Sequence, residues 1–469
     1  MRYTHKHGGV WTLLFILGLV ACGAPLAAEE QAAPAVGQST QEEQAHGSLP
    51  GSLRWSRKID GARRYSLGGE GLVSDRHGGV LLWVNFTGTT DLGGGPVTAP
   101  PEGGVGLASY DSEGRLKWSR VLTTLGGARL LDARALAVDS HRNIVLVVFA
   151  FAGSGTGPGE VPLFPGFNLV KVDPRAERVL WARPFRVDLG INVTRLVTDN
   201  DDNIALAGFF SGTVDFGSGP HTTPSTVASS LLARFNSQGE NLWTYADEGR
   251  FSTAHGLAVD SKNNLVLSGG LFAGIPSDTF VMMFSPSGDV RWSRRIAGTD
   301  GVALEVGVRG DRVVAVGTYF HSITFAGQTL PPPGPGAGFV AAYTHEGEER
   351  WIRRLGHTGG RIALDAKGCL FVSGTYEDGD DVGLGPATGI PGSSTNVYVA
   401  KLDRDGGAVR WVRTFPAGPV SVPISLALTT KNRPVLLGAL EEGTIRVDDE
   451  VWSAATKPYG SLFLFGFNR

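Results

Sequence analysis

From about residue 50 onward the chain alternates short apolar runs with polar turns, and inside the runs apolar positions recur with a period of two. One run repeats as Trp-x-Arg-x-apolar: Trp55-Ser-Arg57-Lys-Ile59, Trp118-Ser-Arg120-Val-Leu122, Trp181-Ala-Arg183-Pro-Phe185, Trp292-Ser-Arg294-Arg-Ile296, Trp351-Ile-Arg353-Arg-Leu355 and Trp411-Val-Arg413-Thr-Phe415. A seventh copy departs at both later positions, Trp243-Thr-Tyr245-Ala-Asp247. The tryptophans are spaced 63, 63, 62, 49, 59 and 60 residues apart. Alternate positions share one face of a strand, so each copy predicts a β-strand, here called D.

Ahead of most D strands stands a turn such as Asp111-Ser-Glu-Gly114, Asn236-Ser-Gln-Gly239 or Asp403-Arg-Asp-Gly406. Asp or Asn first and Gly fourth suit a type I turn. Before each turn lies another β-rich run, strand C, as in Leu232-Ala-Arg-Phe235 or Phe339-Val-Ala-Ala-Tyr343. Earlier in each unit a strand A ends in Asp, turns through polar residues and returns as a β-branched strand B. Leu136-Ala-Val-Asp139…Asn143-Ile-Val-Leu and Leu257-Ala-Val-Asp260…Asn264-Leu-Val-Leu are clear copies. No helical periodicity of useful length appears after residue 50. Four-strand units of about 60 residues predict propeller blades. The run Ser461–Phe467 matches strand C and has no D after it, whereas Leu53–Ile59 matches strand D with no A, B or C before it. The expected architecture is therefore all-β: a seven-bladed β-propeller of four-stranded blades over residues 51–469, closed by an N-terminal strand that completes the last blade.

These units resemble the bacterial SBBP β-propeller repeat, on the A–B turns such as Val259-Asp260-Ser261, the stretch Gly212-Thr-Val-Asp-Phe-Gly217 and the Phe339–Tyr343 type of strand C. They are also similar to quinoprotein-type repeats, which end in Trp on strand D. Such resemblance implies a fold far more than a function.

The start of the chain carries an address. Arg2 and Lys6 precede an apolar run, Val10–Val20, too short to span a bilayer as a helix. Leu19-Val20-Ala21-Cys22 resembles the lipobox of bacterial lipoproteins, which implies lipidation at Cys22 and removal of residues 1–22 as signal. Gly23, in place of Asp, implies outer-membrane rather than inner-membrane retention. Residues 23–50 are rich in Ala, Glu, Gln and Pro without apolar periodicity, and read as a disordered tether reaching roughly 30 Å. Cys369 is the only other cysteine, so no internal disulfide is expected once Cys22 is lipidated. Its place in Cys369-Leu-Phe-Val372 reads as a small buried hydrophobe.

Composition adds exclusions. A net charge of −3 lacks the basic excess of a nucleic-acid binder. Gly at 67 of 469 residues fits a turn-rich fold. No His-Glu-x-x-His, Gly-x-Ser-x-Gly or phosphate-loop motif occurs, so no catalytic residue, metal ligand or cofactor is assigned. Two acidic stretches, Asp199–Asn203 and Glu377–Asp381, raise calcium, but neither has the ligand spacing of a calcium loop. Trp55, Trp118, Trp181, Trp243, Trp292, Trp351 and Trp411 are read as structural, packed between blades with their Arg stacked nearby. The B–C connections are long and unlike one another, except a short one in the fourth unit. Variable loops on a rigid scaffold are where binding sits.

The reading that follows is a non-catalytic, lipid-anchored binding or scaffold module of the cell envelope, exported to the outer membrane and meeting a protein or glycan on its B–C face. One alternative is an envelope-assembly scaffold resembling the propeller lipoprotein of the barrel-assembly machinery, though that family has eight blades. Another is a quinoprotein-like or glycan-active enzyme. The central channel discriminates: clustered carboxylates, His or Arg there favour an enzyme, and an apolar or featureless channel with an aromatic B–C rim favours binding.

Overall fold

A computed structural model describes residues 49–61, 70–151, 161–272, 277–418, 420–455 and 460–469, all within one compact unit, Val36–Arg469. The lipobox with Cys22 and nearly all of the tether lie outside the described residues. Among the described residues there are only strands, turns and bends. They form seven antiparallel sheets of A-B-C-D order. The A strands are Glu70–Ser74, Ala128–Val138, Gly190–Thr198, Ser252–Val259, Ala303–Arg309, Thr358–Leu364 and Val420–Leu428 for blades 1 to 7. The matching D strands are Leu116–Leu122, Val179–Pro184, Asn241–Ala246, Val290–Ile296, Glu349–Arg354, Val409–Phe415 and Leu53–Asp60.

The last of these makes the ring. Leu53–Asp60 runs antiparallel to Ser461–Phe467, with Ile59 opposite Leu462 and Ser56 opposite Phe465, so blade 7 is built from both ends of the chain. The ends meet where the other blades have a C–D turn: Gly51 N donates to Asn468 O at 3.2 Å and Asn468 N to Ser52 O at 2.9 Å. Each strand A neighbours the strand A of the next blade, and blade 7 neighbours blade 1, closing the cycle around a central channel.

Apolar clusters between blades hold the ring, and the tryptophans sit in them. Trp55 faces Gly114 of the next blade, Trp181 faces Gly239, Trp243 Gly288, Trp292 Gly347, Trp351 Gly407 and Trp411 Gly51. These turn glycines have positive φ, and a methyl on any of them would lie 2.4–2.9 Å from indole ring atoms. Both the left-handed backbone and the close approach select Gly. Trp118 instead meets Ala176, a non-glycine at φ 53° in the turn Asp173–Ala176. In blade 6 the left-handed residue is Gly407, not Gly406, so that turn is one residue longer than its sequence pattern suggests. The Arg of the motif ties the same turn: Arg57 Nη2 donates to Gly114 O at 3.2 Å, Arg294 Nε to Gly347 O at 2.7 Å and Arg353 Nε to Gly406 O at 2.9 Å.

The last motif position, four residues after Trp, meets the B–C connection of the following blade. Phe185 packs on Phe216 with ring centroids 4.9 Å apart. Ile59 clusters with Leu92, Leu122 with Leu163, Ile296 with Ile323 and Phe325, Leu355 with Val382 and Phe415 with Ile445. The B–C connections are thus less free than their lengths suggest. Several fold into small hairpins, including one over Thr213–Pro220. Three share an Asp-apolar-Gly-x-Gly pattern in which the Asp carboxylate accepts two backbone N–H groups, as Asp215 does from Gly217 at 2.8 Å and Gly219 at 3.2 Å. Each acts as a clamp on the blade before it. In blade 4 only residues 272–277 join strand B, Leu265–Leu271, to strand C, Asp278–Phe284, which is too short for such a hairpin. The D strand it would cover is the departing copy, with Asp247 at the clamped position.

Candidate functional site

The A–B turns border one mouth of the channel, and their Asp residues close the turns. Asp139, Asp199, Asp260 and Asp365 each accept backbone N–H groups two and four residues ahead through Oδ1. Their other oxygens take a cation or imidazole: Lys171 at 3.0 Å from Asp139, Arg234 on Asp199, His345 Nε2 at 2.7 Å from Asp260 and Arg469 at 3.4 Å from Asp365. The residue at positive φ in a turn reaches back to the previous blade, so Ser140 N donates to Asp202 Oδ1 at 2.7 Å and Asn200 N to Asn263 Oδ1 at 3.1 Å.

This geometry bears on the two acidic stretches. In Asp199–Asn203 every carboxylate is engaged: Asp199 by its own turn, Asn203 and Arg234, Asp201 by Asn263 and Asp202 by Ser140. In Glu377–Asp381, Asp378 accepts from Gly389 N, Asp380 from Glu377 N and Asp381 from Gly383 N and Gly385 N. In Glu377–Asp381 the oxygens cap separate backbone groups, whereas Asp202 of the first stretch converges with Asp139 and His141, whose ligand atoms all lie within 4.8 Å of one another. Cys369 stands at the turn position held by Asn143, Asn203 and Asn264 in other blades, half-buried, with its N–H on Asp365. It is a turn residue rather than the core hydrophobe its apolar neighbours suggest.

The channel wall carries the one concentration of charge that the motifs do not announce. Strand A has a β-bulge at the same register in blades 2 to 7, at Arg134, Thr194, His255, Leu304, Gly360 and Ile424. A bulge turns the strand and re-aims its side chains. The next residue in each blade stands at one level: Ala135, Arg195, Gly256, Glu305, Arg361 and Ser425. Arg195 reaches from blade 3 past blade 4 to blade 5, where its Nε donates to Glu305 Oε1 at 3.1 Å and its Nη2 to Oε2. Gly256 permits this. It adds no side chain, and its Cα lies so near blade 5 that a methyl would be 2.7 Å from Val306 N. Arg361 of blade 6 stands on the other side of the same carboxylate, Nη1 to Oε2 at 3.8 Å, while its Nε donates to Ile424 O at 2.6 Å.

Between them Arg195 and Arg361 keep about a quarter of their side-chain surface open, 28% and 26%, against 13% for Glu305. Burial lowers the guanidinium pKa of Arg361, and repulsion from Arg195 adds to this against the pull of Glu305, bringing it down to about 10. Arg195 is held above its ordinary value, because Glu305's charge and hydrogen bonds outweigh the burial that opposes them. Half-buried His255 is lowered to about 4, first by burial and then by the two arginines. Its Nε2 lies 3.0 Å from Thr253 Oγ1. Deeper in blade 2, Asp132 is raised by burial despite the adjacent Arg134, whose Nε donates to it at 3.0 Å.

The rim of the B–C face is aromatic on one side. Among the described residues the strongly exposed phenylalanines are Phe151 at 42%, Phe164 at 50% and Phe251 at 43%. All three lie in B–C or D–A connections of blades 2 to 4. Leu189, 58% exposed, joins them. Phe251 packs on Phe272 at 4.9 Å, and Phe151 leads inward through Phe149 and Phe167 to Phe185 at ring distances of 5.0–6.0 Å. Phe251 and Phe272 stand at the junction of blades 3 and 4, the one without a clamp, whereas Phe151 and Phe164 lie in the B–C connection of blade 2.

No protein-family model matches the chain, and no curated protein matches it in sequence. Its similarities are to solved structures. The Dos1 propeller has 10% identity and a TM-score of 0.43, over 87% of this chain and 95% of that one. YCF48 bound to D1 peptide has 10% identity and a TM-score of 0.43, over 87% and 94%. Quinohemoprotein alcohol dehydrogenase from Comamonas testosteroni has 9% identity and a TM-score of 0.42, over 88% and 76%. Likeness at this level concerns fold alone.

Proposed function

We propose that this protein is an SBBP-like propeller lipoprotein of the cell envelope, anchored through Cys22, that works as a non-catalytic docking module for a protein. The observation that carries the reading is the gathering of Phe151, Phe164 and Phe251 on one side of the B–C face. Exposed aromatic side chains on the connections of a rigid scaffold favour a macromolecular partner. A glycan is the competing ligand. Glycan sites set polar groups beside their aromatic rings, and Phe251 instead packs against the ring of Phe272, tilted by 37°.

The channel answers the other half of the discriminator in an unexpected way, since it does hold Arg, Glu and His. Their arrangement supports binding over turnover. Glu305 is spent on Arg195, and His255 titrates near pH 4, so neither is poised as a general acid or base at neutral pH.

The test uses the full chain, solubilised in mild detergent, as bait against envelope proteins and, separately, against cell-wall glycans. Wild type should retain a protein that the triple variant Phe151→Ser, Phe164→Ser, Phe251→Ser loses. Equal retention by both, or glycan capture alone, overturns the docking reading. Cys22→Ala should move the protein from the membrane to the soluble fraction, and unchanged fractionation overturns the anchor.

A further inference from the structure

We infer that the waist of the channel is a binding site for a small oxyanion, a carboxylate or a phosphate, gripped by Arg361 with Arg195 beside it. The inference is independent of docking on the B–C face.

Three observations carry it. First, among the described residues the site is uncompensated: two guanidiniums share one carboxylate, which leaves one excess positive charge at this level. Glu305 is used by Arg195 in a two-point pair, whereas it stays 3.8 Å from Arg361 Nη1, beyond hydrogen-bond reach. Second, Arg361 is held in place but not satisfied. Its Nε is fixed on Ile424 O, and among the described residues its two Nη nitrogens donate to no protein atom. A planar guanidinium anchored at Nε presents its Nη groups in the geometry that carboxylates and phosphates accept. Third, the described neighbours at this level are small. The other residues at this level are Ala135, Gly256 and Ser425, and the Ser425 hydroxyl is already engaged with the backbone of Leu72 at 3.0 Å. The groups facing the space from neighbouring strands are His255, neutral at pH 7, and the Asp132–Arg134 pair, which balances itself. A guanidinium on the channel wall meets a dielectric below that of water, which strengthens its attraction for an anion.

The architecture explains why such a site survives. Strand bulges in six blades aim one residue each at the same ring, so three charged side chains far apart in the chain are brought to one level without any local motif.

Isothermal titration of the full chain in detergent, at constant ionic strength with chloride as the balancing ion, gives the test. Inorganic phosphate and succinate are the two probes. At least one should bind saturably with one site per chain. Binding of phosphate alone assigns the phosphate class, of succinate alone the carboxylate class, and of both the shared chemistry. Arg361→Gln should weaken binding at least tenfold with an unchanged circular-dichroism spectrum. Glu305→Gln should tighten it several-fold, because it releases Arg195 and removes the competing carboxylate. Absence of saturable binding of either probe to wild type overturns the site. So does unchanged affinity in a folded Arg361→Gln, or weaker binding in Glu305→Gln. If Arg361→Gln does not fold, the sign of the Glu305→Gln effect decides.

Discussion

The junctions between blades are of two kinds. Six have an apolar residue at the end of strand D capped by a B–C hairpin or loop from the next blade, as Phe185 is by Phe216. At the junction of blades 3 and 4 the residue is Asp247, whose N–H donates to Ser230 O at 3.0 Å and whose carboxylate accepts from Ser252 Oγ at 3.1 Å. Two irregularities of the sequence, the 49-residue spacing and the broken Trp-x-Arg-x-apolar motif, are therefore one event. Without a hairpin to cover it, an apolar residue there would face water, and a carboxylate bonded to its own loop is the better occupant. The junction is held from the opposite face. Arg234 donates to Asn263 O at 3.0 Å and Pro286 O at 3.3 Å of blade 4 while paired with Asp199. Trp243 Nε1 adds a bond to Pro286 O at 3.0 Å. Polar ties on that face recur at clamped junctions, as Trp181 Nε1 to Ser237 O at 3.1 Å and Arg294 Nε to Gly347 O at 2.7 Å, so at the junction of blades 3 and 4 the polar clasp holds without the apolar one, beside Phe251 and Phe272.

The largest effects should come from cutting each kind of clasp. Arg234→Met strands the buried Asp199 carboxylate and should cost about 3–5 kcal/mol in denaturant unfolding of the full chain. Phe216→Ala should cost a similar amount, about 3–5 kcal/mol, at a clamped junction. If Arg234→Met were nearly neutral while Phe216→Ala was not, the idea of a polar clasp replacing the apolar one would fail. Asp247→Leu should lower stability by at most about 1 kcal/mol, the worth of its lost hydrogen bonds. A clear gain in stability instead would reveal an apolar partner for that position. Ala176→Gly relieves a left-handed alanine and should stabilise by up to about 1 kcal/mol, offset by the loss of the methyl group. A drop in midpoint would mean that the methyl contact with Trp118 outweighs the strain.

The effect of His255, on the inner edge of the unclamped junction, is read as a slope. Its folded pKa, about 4, lies below the unfolded value near 6.5, so the unfolded chain binds the proton first. Stability should fall as pH drops from about 6.5 to about 4, with this contribution level below that. Subtracting the curve of His255→Gln from wild type should isolate a difference of up to one proton in that window, and parallel curves would remove His255 from the channel argument.

Much of this was legible in a single chain because repetition stands in for comparison. The Trp-x-Arg motif, the Asp-ended strand A and the unmatched first and last strands are local patterns, and they specify blades, their number and the closure of the ring. The aromatic rim was half legible: the fourth B–C connection stands out by its short length, but nothing local says that Phe151, Phe164 and Phe251 are exposed. The channel cluster carried a signal that repeat alignment could have found. Counted back four residues from the Asp that ends strand A, Arg195 and Arg361 occupy the same place, and Glu305 stands at the corresponding point of blade 5.

What the sequence determined by itself is whatever a strand and its turn decide within one unit: alternation sets which face is buried, and Gly or Asp sets where the chain reverses. Only the closed ring decided what meets across it. Arg195 and Glu305 are 110 residues apart, and the B–C hairpins find their apolar partners on another blade. Such contacts depend on the angle between blades and the register of each bulge, and both are set by the packing of all seven blades together.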